Sequence, residues 1–459
     1  MPVNSFDDYP MSWRPSLQHK GLPLYLELAQ RLEQDIASGL LRPGTKLPPQ
    51  RELADFLDIN LSTVTRAFKL CSQKGLLTGA VGNGTFVAYD ITTNIFTVPA
   101  SKKPYLIPLG SMTPETIVQD EATELLEKML LEKEACSLFQ YNHGIPLWQK
   151  EAAVKLLAKA GCYTTPEHIL AASGGQNAIA CIFAGLFQPG DRIGTDPLVY
   201  PGVKSAAKLF GIQLVPVGQE NGEMSEAGLR YAIKNENIKG IYVMPDHHNP
   251  TTHTMSEGCR KMLAAVAKEQ GIMIIEDGIN SLLGEKRTEA VASIAPEQTI
   301  YIFSLSKTII PALRLSYLAV PKHWRKALEN ALYNINLSQS SLLMELAARM
   351  VASGSLDQLL QRRRQGLAIR NRLTNKILKD YTVLGDEQSL SRWLLLPNNM
   401  TGAEFERQAL KKGVFVYGSE RFALGKDAPL GAARLAICAP ASLEELEQGL
   451  RLIKELLQQ

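Results

Sequence analysis

The residues best placed to do chemistry in this 459-residue chain stand at the ends of short apolar runs. Thr299–Phe303 leads into Ser304-Leu305-Ser306-Lys307, with Arg314 seven residues further on. An amine held at the end of an apolar strand can shed its hydration, titrate lower and attack an aldehyde; a lysine that only caps a strand looks the same in sequence. Met273–Glu276 leads to Asp277, a carboxylate suited to a cationic ring nitrogen or a metal, or to an ordinary helix cap or loop ion pair. Ile241–Pro245 leads to Asp246-His247-His248-Asn249-Pro250-Thr251. These histidines, with His253, lack the spacing and the flanking cysteines or carboxylates of a zinc site, so they read as loop residues and no metal is expected. Ile169–Ala172 precedes Ser173-Gly174-Gly175-Gln176-Asn177-Ala178. Strand, small-residue turn and helix leave N–H groups free to hold an anion, although a Gly-Gly turn is common in α/β proteins.

Such residues need a frame. From Leu109 to Gln459 helical stretches alternate with short apolar strands bounded by Gly, Pro, Asp and Asn, which predicts a layered α/β domain. Leu17–Tyr89 has another texture. Tyr25, Leu28, Leu32 and Ile36 keep the spacing of one helix face, and Leu53, Ala54 and Leu57 repeat it after Pro48-Pro49. Beyond Asp58-Ile59-Asn60, the residues Val64, Ala67, Phe68 and Cys71 form a third stripe, which turns Thr63, Thr65, Arg66 and Lys69 outward. Helix, tight turn and second helix, then a hairpin around Asn83-Gly84, predict a winged helix-turn-helix whose second helix can enter a major groove. Eight basic against six acidic residues in this segment support that only mildly, and a helical interaction module is the plain alternative. Between the two lies Asp90–Pro108, rich in Thr, Ser and Pro, which reads as a linker. Extended at about 3.3 Å per residue it spans about 60 Å, enough for the small domain to reach a neighbouring subunit.

Composition narrows the classes. With 45% hydrophobic and 21% charged residues and a net charge of +3, the chain is neither disordered nor a polycation, so anion binding must come from local patches. The six cysteines are scattered without a C-x-x-C pair, as expected for free thiols in a reducing compartment. Met1–Ser16 lacks the apolar core of a secretory signal and no run approaches a bilayer span, so a soluble, cytoplasmic protein without a membrane partner is expected.

The wording of the small domain carries more than its periodicity. Pro23–Tyr25, Ser38–Pro48, Arg51–Ala54, Thr63–Phe68, Gly75–Leu77 and Gly82–Val87 resemble, in order, the winged helix of the GntR family of bacterial transcription regulators. The resemblance implies that Arg51, Thr63 and Arg66, with wing residues Gly82 and Gly84, face double-stranded DNA. Leu61 stands where the family often has an arginine, which implies a different operator.

In the large domain an anion cradle, an Asn-Pro turn, an Asp behind a strand and a Ser-x-Ser-Lys are the parts that pyridoxal 5'-phosphate (PLP) requires. Their order, with 28 residues from Asn249 to Asp277 and 30 from Asp277 to Lys307, resembles the fold-type I aminotransferases. The resemblance implies a Schiff base on Lys307, Asp277 at the pyridine nitrogen, Asn249 at the ring hydroxyl and Tyr200 stacked on the ring. It places Gly175, Gln176, Ser304, Ser306 and Arg314 around the phosphate, and Tyr141 at the phosphate of a partner subunit in a homodimer. Arg434 matches the arginine that grips a substrate carboxylate. Two departures stand out: Ile279 and Asn280 replace a tyrosine that often follows the Asp, and Thr252 replaces the glycine of Asn-Pro-Thr-Gly. Together the domains resemble the MocR subfamily of GntR regulators. That implies a DNA-binding regulator that senses PLP, an amino acid or amine effector, or both, through an aminotransferase-like domain. A working aminotransferase that carries a DNA-tethering domain is the alternative, and the two departures predict slow turnover.

Overall fold

The computed structural model describes residues 11–17, 22–80, 84–89, 106–114, 120–133, 135–141, 144–284, 288–397 and 400–459. The segment 90–105 of the expected linker, the hairpin tip with Gly82, and Asn142 and His143 lie outside these residues.

The small unit is built as its periodicity predicts. Helices α1 (Leu24–Ala37), α2 (Gln50–Leu57) and α3 (Leu61–Gln73) are followed by the antiparallel strands β1 (Leu77–Ala80) and β2 (Gly84–Val87). Asn60 caps α3, its side-chain oxygen accepting the Ser62 N–H at 2.9 Å. Leu28, Leu32, Leu53, Val64, Phe68 and Cys71 share one core with Trp13, whose indole donates to Asp35 at 2.9 Å.

The large unit is organised by a seven-stranded sheet. Its strands in chain order are β3 (Ile169–Ala172), β4 (Arg192–Thr195), β5 (Gln213–Pro216), β6 (Gly240–Val243), β7 (Met273–Asp277), β8 (Thr299–Ser304) and β9 (Ser316–Ala319), and their spatial order is β3-β9-β8-β7-β6-β4-β5. Pairing is parallel except around β9, which runs against both neighbours. Helices cover both faces, so the strands are continuous apolar runs rather than alternating ones. Ile300 and Ile302 of β8 enter one core while Tyr301 and Phe303 enter the opposite one. A second layer follows: a four-stranded sheet in the order Val383–Leu384, Arg392–Leu395, Ala432–Leu435, Tyr417–Gly418, backed by the helix Leu443–Leu457. Ile107-Pro108, at the end of the segment read as a linker, pairs in parallel with Val414-Phe415 and so belongs to this layer.

The two units touch. Tyr89 donates its N–H to the Gly425 carbonyl at 3.0 Å, and the Lys426 ammonium lies 5.7 Å from the Phe86 ring centre. All six cysteines are free, and among the described residues no helix is long and apolar enough to cross a membrane.

Candidate functional site

The topology brings the expected residues to one edge. In a parallel sheet every strand delivers its C-terminal end, and the loop after it, to the same side. Asp277 closes β7, Lys307 follows β8, Asn249 follows β6, Tyr200 follows β4 and Ser173 follows β3. Because β9 is antiparallel, Arg314 just before it arrives at that edge too. Tyr200, Asn249, Asp277 and Lys307 line one cavity, and Arg434 reaches it from the C-terminal layer.

Lys307 is largely buried and donates to the Met112 carbonyl. Burial pulls its amine down to about 8; Arg434 and Arg314 push the same way, and Cys438 opposes them. Asp277 is buried, accepting the Tyr242 hydroxyl at 2.6 Å on Oδ2 and the Ile279 N–H at 3.3 Å on Oδ1. Burial pushes its carboxyl up to about 6. Tyr200, also shielded and near Asp277, has its phenol pushed up to about 12.

Arg434 sits in the strand Ala432–Leu435 between Trp393 and Tyr417 in register, with its guanidinium 4.9 Å from the Phe422 ring centre and 5.2 Å from that of Tyr417. One Nη donates to Asn249 Oδ1 at 2.6 Å and the other to the Gly110 carbonyl. With its oxygen so committed, the Asn249 amide keeps its NH2 group as donor. Asn249 precedes a cis proline. Thr252 adopts φ +64°, the left-handed backbone that a glycine takes without strain.

The turn expected to cradle an anion lies at the start of the helix Gly175–Leu186. Gly174 there has φ +92°, and a Cβ on it would run into the Arg314 guanidinium. Arg314 donates to Ser306 Oγ and to the Ser173 carbonyl, each at 3.5 Å. Gln176 donates to the Gly202 carbonyl at 2.8 Å, and a Cβ on Gly202 would strike both Gln176 and the Tyr200 ring. Ser304 is fully buried and its hydroxyl bonds Leu315 O and Ser306, so it braces Ser306 within the loop. Tyr141 is 71% exposed on this chain, away from the cavity lining.

These residues fit PLP on chemical grounds. The hydrogen bonds of Lys307, Arg314 and Arg434 go to neutral oxygens, so among the described residues none of these cations is spent on a carboxylate, which suits a dianionic phosphate together with a carboxylate. The buried Arg434 Nε has no hydrogen-bond partner among the described residues, as a donor awaiting a ligand oxygen would.

Sequence reading missed several contributors. Tyr242 looks like core in an apolar strand, and Gly110 and Met112 act through carbonyls that leave no side-chain signal. The histidines set apart from zinc serve the loop: His253 pairs with Glu223 at 2.9 Å, and His248 lies 3.6 Å from Asp196.

On the small unit, Arg51, Arg66 and Gly84 are exposed and Thr63 is half-buried, all on the face of α2, α3 and the wing turned from the core. Thr65 donates to Gln50 at 2.8 Å, locking the start of α2 against α3. Leu61, at the helix start, is 38% exposed.

Comparison with known proteins matches this division. Residues 24–87 fit the model of bacterial regulatory proteins of the gntR family, and residues 105–453 that of aminotransferase class I and II. The chain is 49% identical to the HTH-type transcriptional regulator YdeF of Bacillus subtilis (strain 168), covering 100% of this chain and 99% of that protein. The chain belongs to the MocR type of GntR-family transcriptional regulators. Another relative, the HTH-type pyridoxine biosynthesis transcriptional regulator PdxR of Corynebacterium glutamicum, is 24% identical over 386 residues, 81% of this chain and 82% of that one. Among solved structures, an archaeal alanine:glyoxylate aminotransferase aligns with a TM-score of 0.69 at 22% identity, over 77% of this chain and 91% of its own. That likeness concerns the fold of the large unit. This MocR-type regulator therefore joins a GntR winged helix, a DNA-binding module, to a domain of the PLP-dependent aminotransferase fold.

Proposed function

We propose that this regulator holds PLP at Lys307, takes an amino acid or amine effector through Arg434, and changes the presentation of its winged helices on an operator when that site fills. PLP supplies an aldehyde for a buried amine and a conjugated ring that draws electrons from it. In the chain, Lys307 offers an amine whose neutral form is accessible near pH 8, and Asp277 offers a carboxylate to the ring nitrogen. The Asn249 amide donates to the ring oxygen, Tyr200 covers the ring, and Arg314 with the amides at Gly175 and Gln176 holds the phosphate. Arg434 takes the effector carboxylate, and Tyr141 serves the partner site of a homodimer. The observation that carries this reading is the meeting of Lys307, Asp277, Asn249, Tyr200 and Arg434 at one cavity.

A route to the DNA-binding unit starts at the same cavity. The helix Pro201–Leu209 begins beside Tyr200, its Gly202 carbonyl accepts Gln176, and Lys204 one turn on is buried and donates to the Tyr89 carbonyl at 3.1 Å. A ligand shifts the arrangement only through unequal affinity for the two states, and this helix touches both the cavity and the winged-helix unit.

A multiple-turnover aminotransferase is disfavoured, since Asn280 donates to the His247 carbonyl and Ile279 carries no hydroxyl, so neither serves the ring oxygen. The test is DNA affinity, on fragments recovered by genome-wide footprinting, with and without PLP and an amino-acid panel, beside steady-state transamination assays. Ligand-dependent affinity with slow or absent turnover supports the reading. Brisk turnover with ligand-independent DNA affinity contradicts it.

A further inference from the structure

Tyr242 of β6 stands opposite Ile275 of β7, and so shares a sheet face with Asp277 two residues along. Diagonal neighbours of this kind are within reach of an aromatic side chain, and the Tyr242 hydroxyl closes on Asp277 Oδ2 at 2.6 Å. Tyr242 is 1% and Asp277 3% exposed. The other oxygen, Oδ1, receives the Ile279 N–H at the longer distance of 3.3 Å. Both donors are neutral, so the carboxylate is oriented without being neutralised.

We propose that Tyr242 is a positioning residue of the cofactor site, its hydroxyl fixing the plane of the Asp277 carboxylate and holding a proton shared with a pyridine nitrogen on the ring side. This rests on the PLP reading above. The chemistry has a definite direction. A donor to an ionised carboxylate stabilises the ionised form, so the Tyr242 bond opposes what burial does to Asp277. Burial, then Asp277 itself, pushes the Tyr242 phenol well above its ordinary value, which keeps its proton in place as an obligate donor. Without the hydroxyl the carboxylate would be the stronger base and would draw the proton away from a pyridine nitrogen, so that a bound ring would withdraw electrons less. The Lys307 nitrogen, joined to such a ring, would then hold its proton to higher pH.

The same bond excludes another role for this phenol. Its proton is committed to Asp277, so Tyr242 does not replace the ring-oxygen tyrosine whose place Ile279 and Asn280 occupy.

Tyr242→Phe removes one oxygen and keeps the shape. In the full-length protein loaded with PLP, the pH midpoint of the visible absorbance should rise by about one unit, because a hydrogen bond to a charged group amounts to about one to two units of proton affinity. In an Asp277→Asn background the same substitution should move nothing further. An unshifted midpoint, or an undiminished effect in that background, overturns the proposal. A second readout needs no cofactor. Thermal melts of the PLP-free proteins should show Tyr242→Phe destabilised at pH 8, with the deficit fading as pH falls through about 6 and Asp277 takes up its proton. A deficit equal at pH 8 and pH 4 refutes the link between the two residues. A wild-type protein that stays colourless with PLP, while this pH-dependent deficit persists, removes the cofactor reading alone and keeps Tyr242 as the residue that orients Asp277.

Discussion

The Lys204 ammonium donates to the Tyr89 carbonyl at 3.1 Å, which ties the helix beginning beside Tyr200 to the last described residue of the winged-helix unit. The same ammonium reaches the Ala423 carbonyl at 2.8 Å and that of Arg421 at 3.2 Å, so one buried cation gathers three chain segments. Lys204→Met keeps the length and removes the donor. Taking the cation from two buried carbonyls and a part-buried one should cost on the order of 3 kcal/mol, since buried acceptors lose a charged partner. Amide exchange at residues 84–89 should accelerate, and the ratio of DNA affinities with and without PLP should fall toward one. An unchanged ratio would show that the signal travels elsewhere.

Asp277 makes a pH prediction whose sign follows from its burial. Its carboxyl rises from an ordinary 3.8 to about 6 in the folded protein, so between those values the folded state binds more protons than the unfolded state. Stability therefore declines as pH rises through that window. Asp277→Asn, free of this cost, should stabilise the PLP-free protein by on the order of 3 kcal/mol at pH 8 and by nothing below pH 4. With PLP present the order should reverse, because the amide offers the ring nitrogen no charge. Denaturant titrations at pH 4 and pH 8, with and without PLP, check all four values.

Lys307 makes a kinetic one. Only the neutral amine attacks an aldehyde, and an ordinary lysine becomes neutral near 10.5, whereas burial brings this one to about 8. The rate of PLP uptake, followed by stopped-flow absorbance, should climb about tenfold per pH unit below 8 and level off above it. A rate still climbing at pH 10 would mean that the amine is hydrated.

Arg66 lies exposed on α3 beside Lys69 and Thr65. Arg66→Ala should weaken DNA binding and, where the contact is to phosphate, lower the salt slope by about one. A titration from 50 to 200 mM salt reads both. An unaltered slope and affinity would move the interface off α3.

Much of this was legible beforehand, for a physical reason. Lys307, Asp277 and Asn249 each follow an apolar strand, and a polar group there stands out against its neighbours. The stripes Val64-Ala67-Phe68-Cys71 and Leu28-Leu32-Ile36 repeat at helical spacing, so the small unit could be drawn from them. Other features depend on pairing that spacing does not encode. Tyr242 reads as core until the register of β6 on β7 brings it to Asp277. Lys204 reads as an ordinary helix lysine until Tyr89 folds back onto it. Ile107-Pro108 is too short for alternation to show, and its proline suggested a linker rather than a strand paired with Val414-Phe415.

The central claim is that a buried amine on Lys307 carries PLP and that this loading governs DNA binding. The most direct measurement is one titration of full-length protein with PLP, reading visible absorbance and affinity for a footprinted operator fragment together, in wild type and Lys307→Ala. The account predicts a visible band and a shift in affinity that saturate together in the wild type, with both absent from the variant. A colourless wild type, or a variant whose affinity shifts as much as that of the wild type, would contradict it.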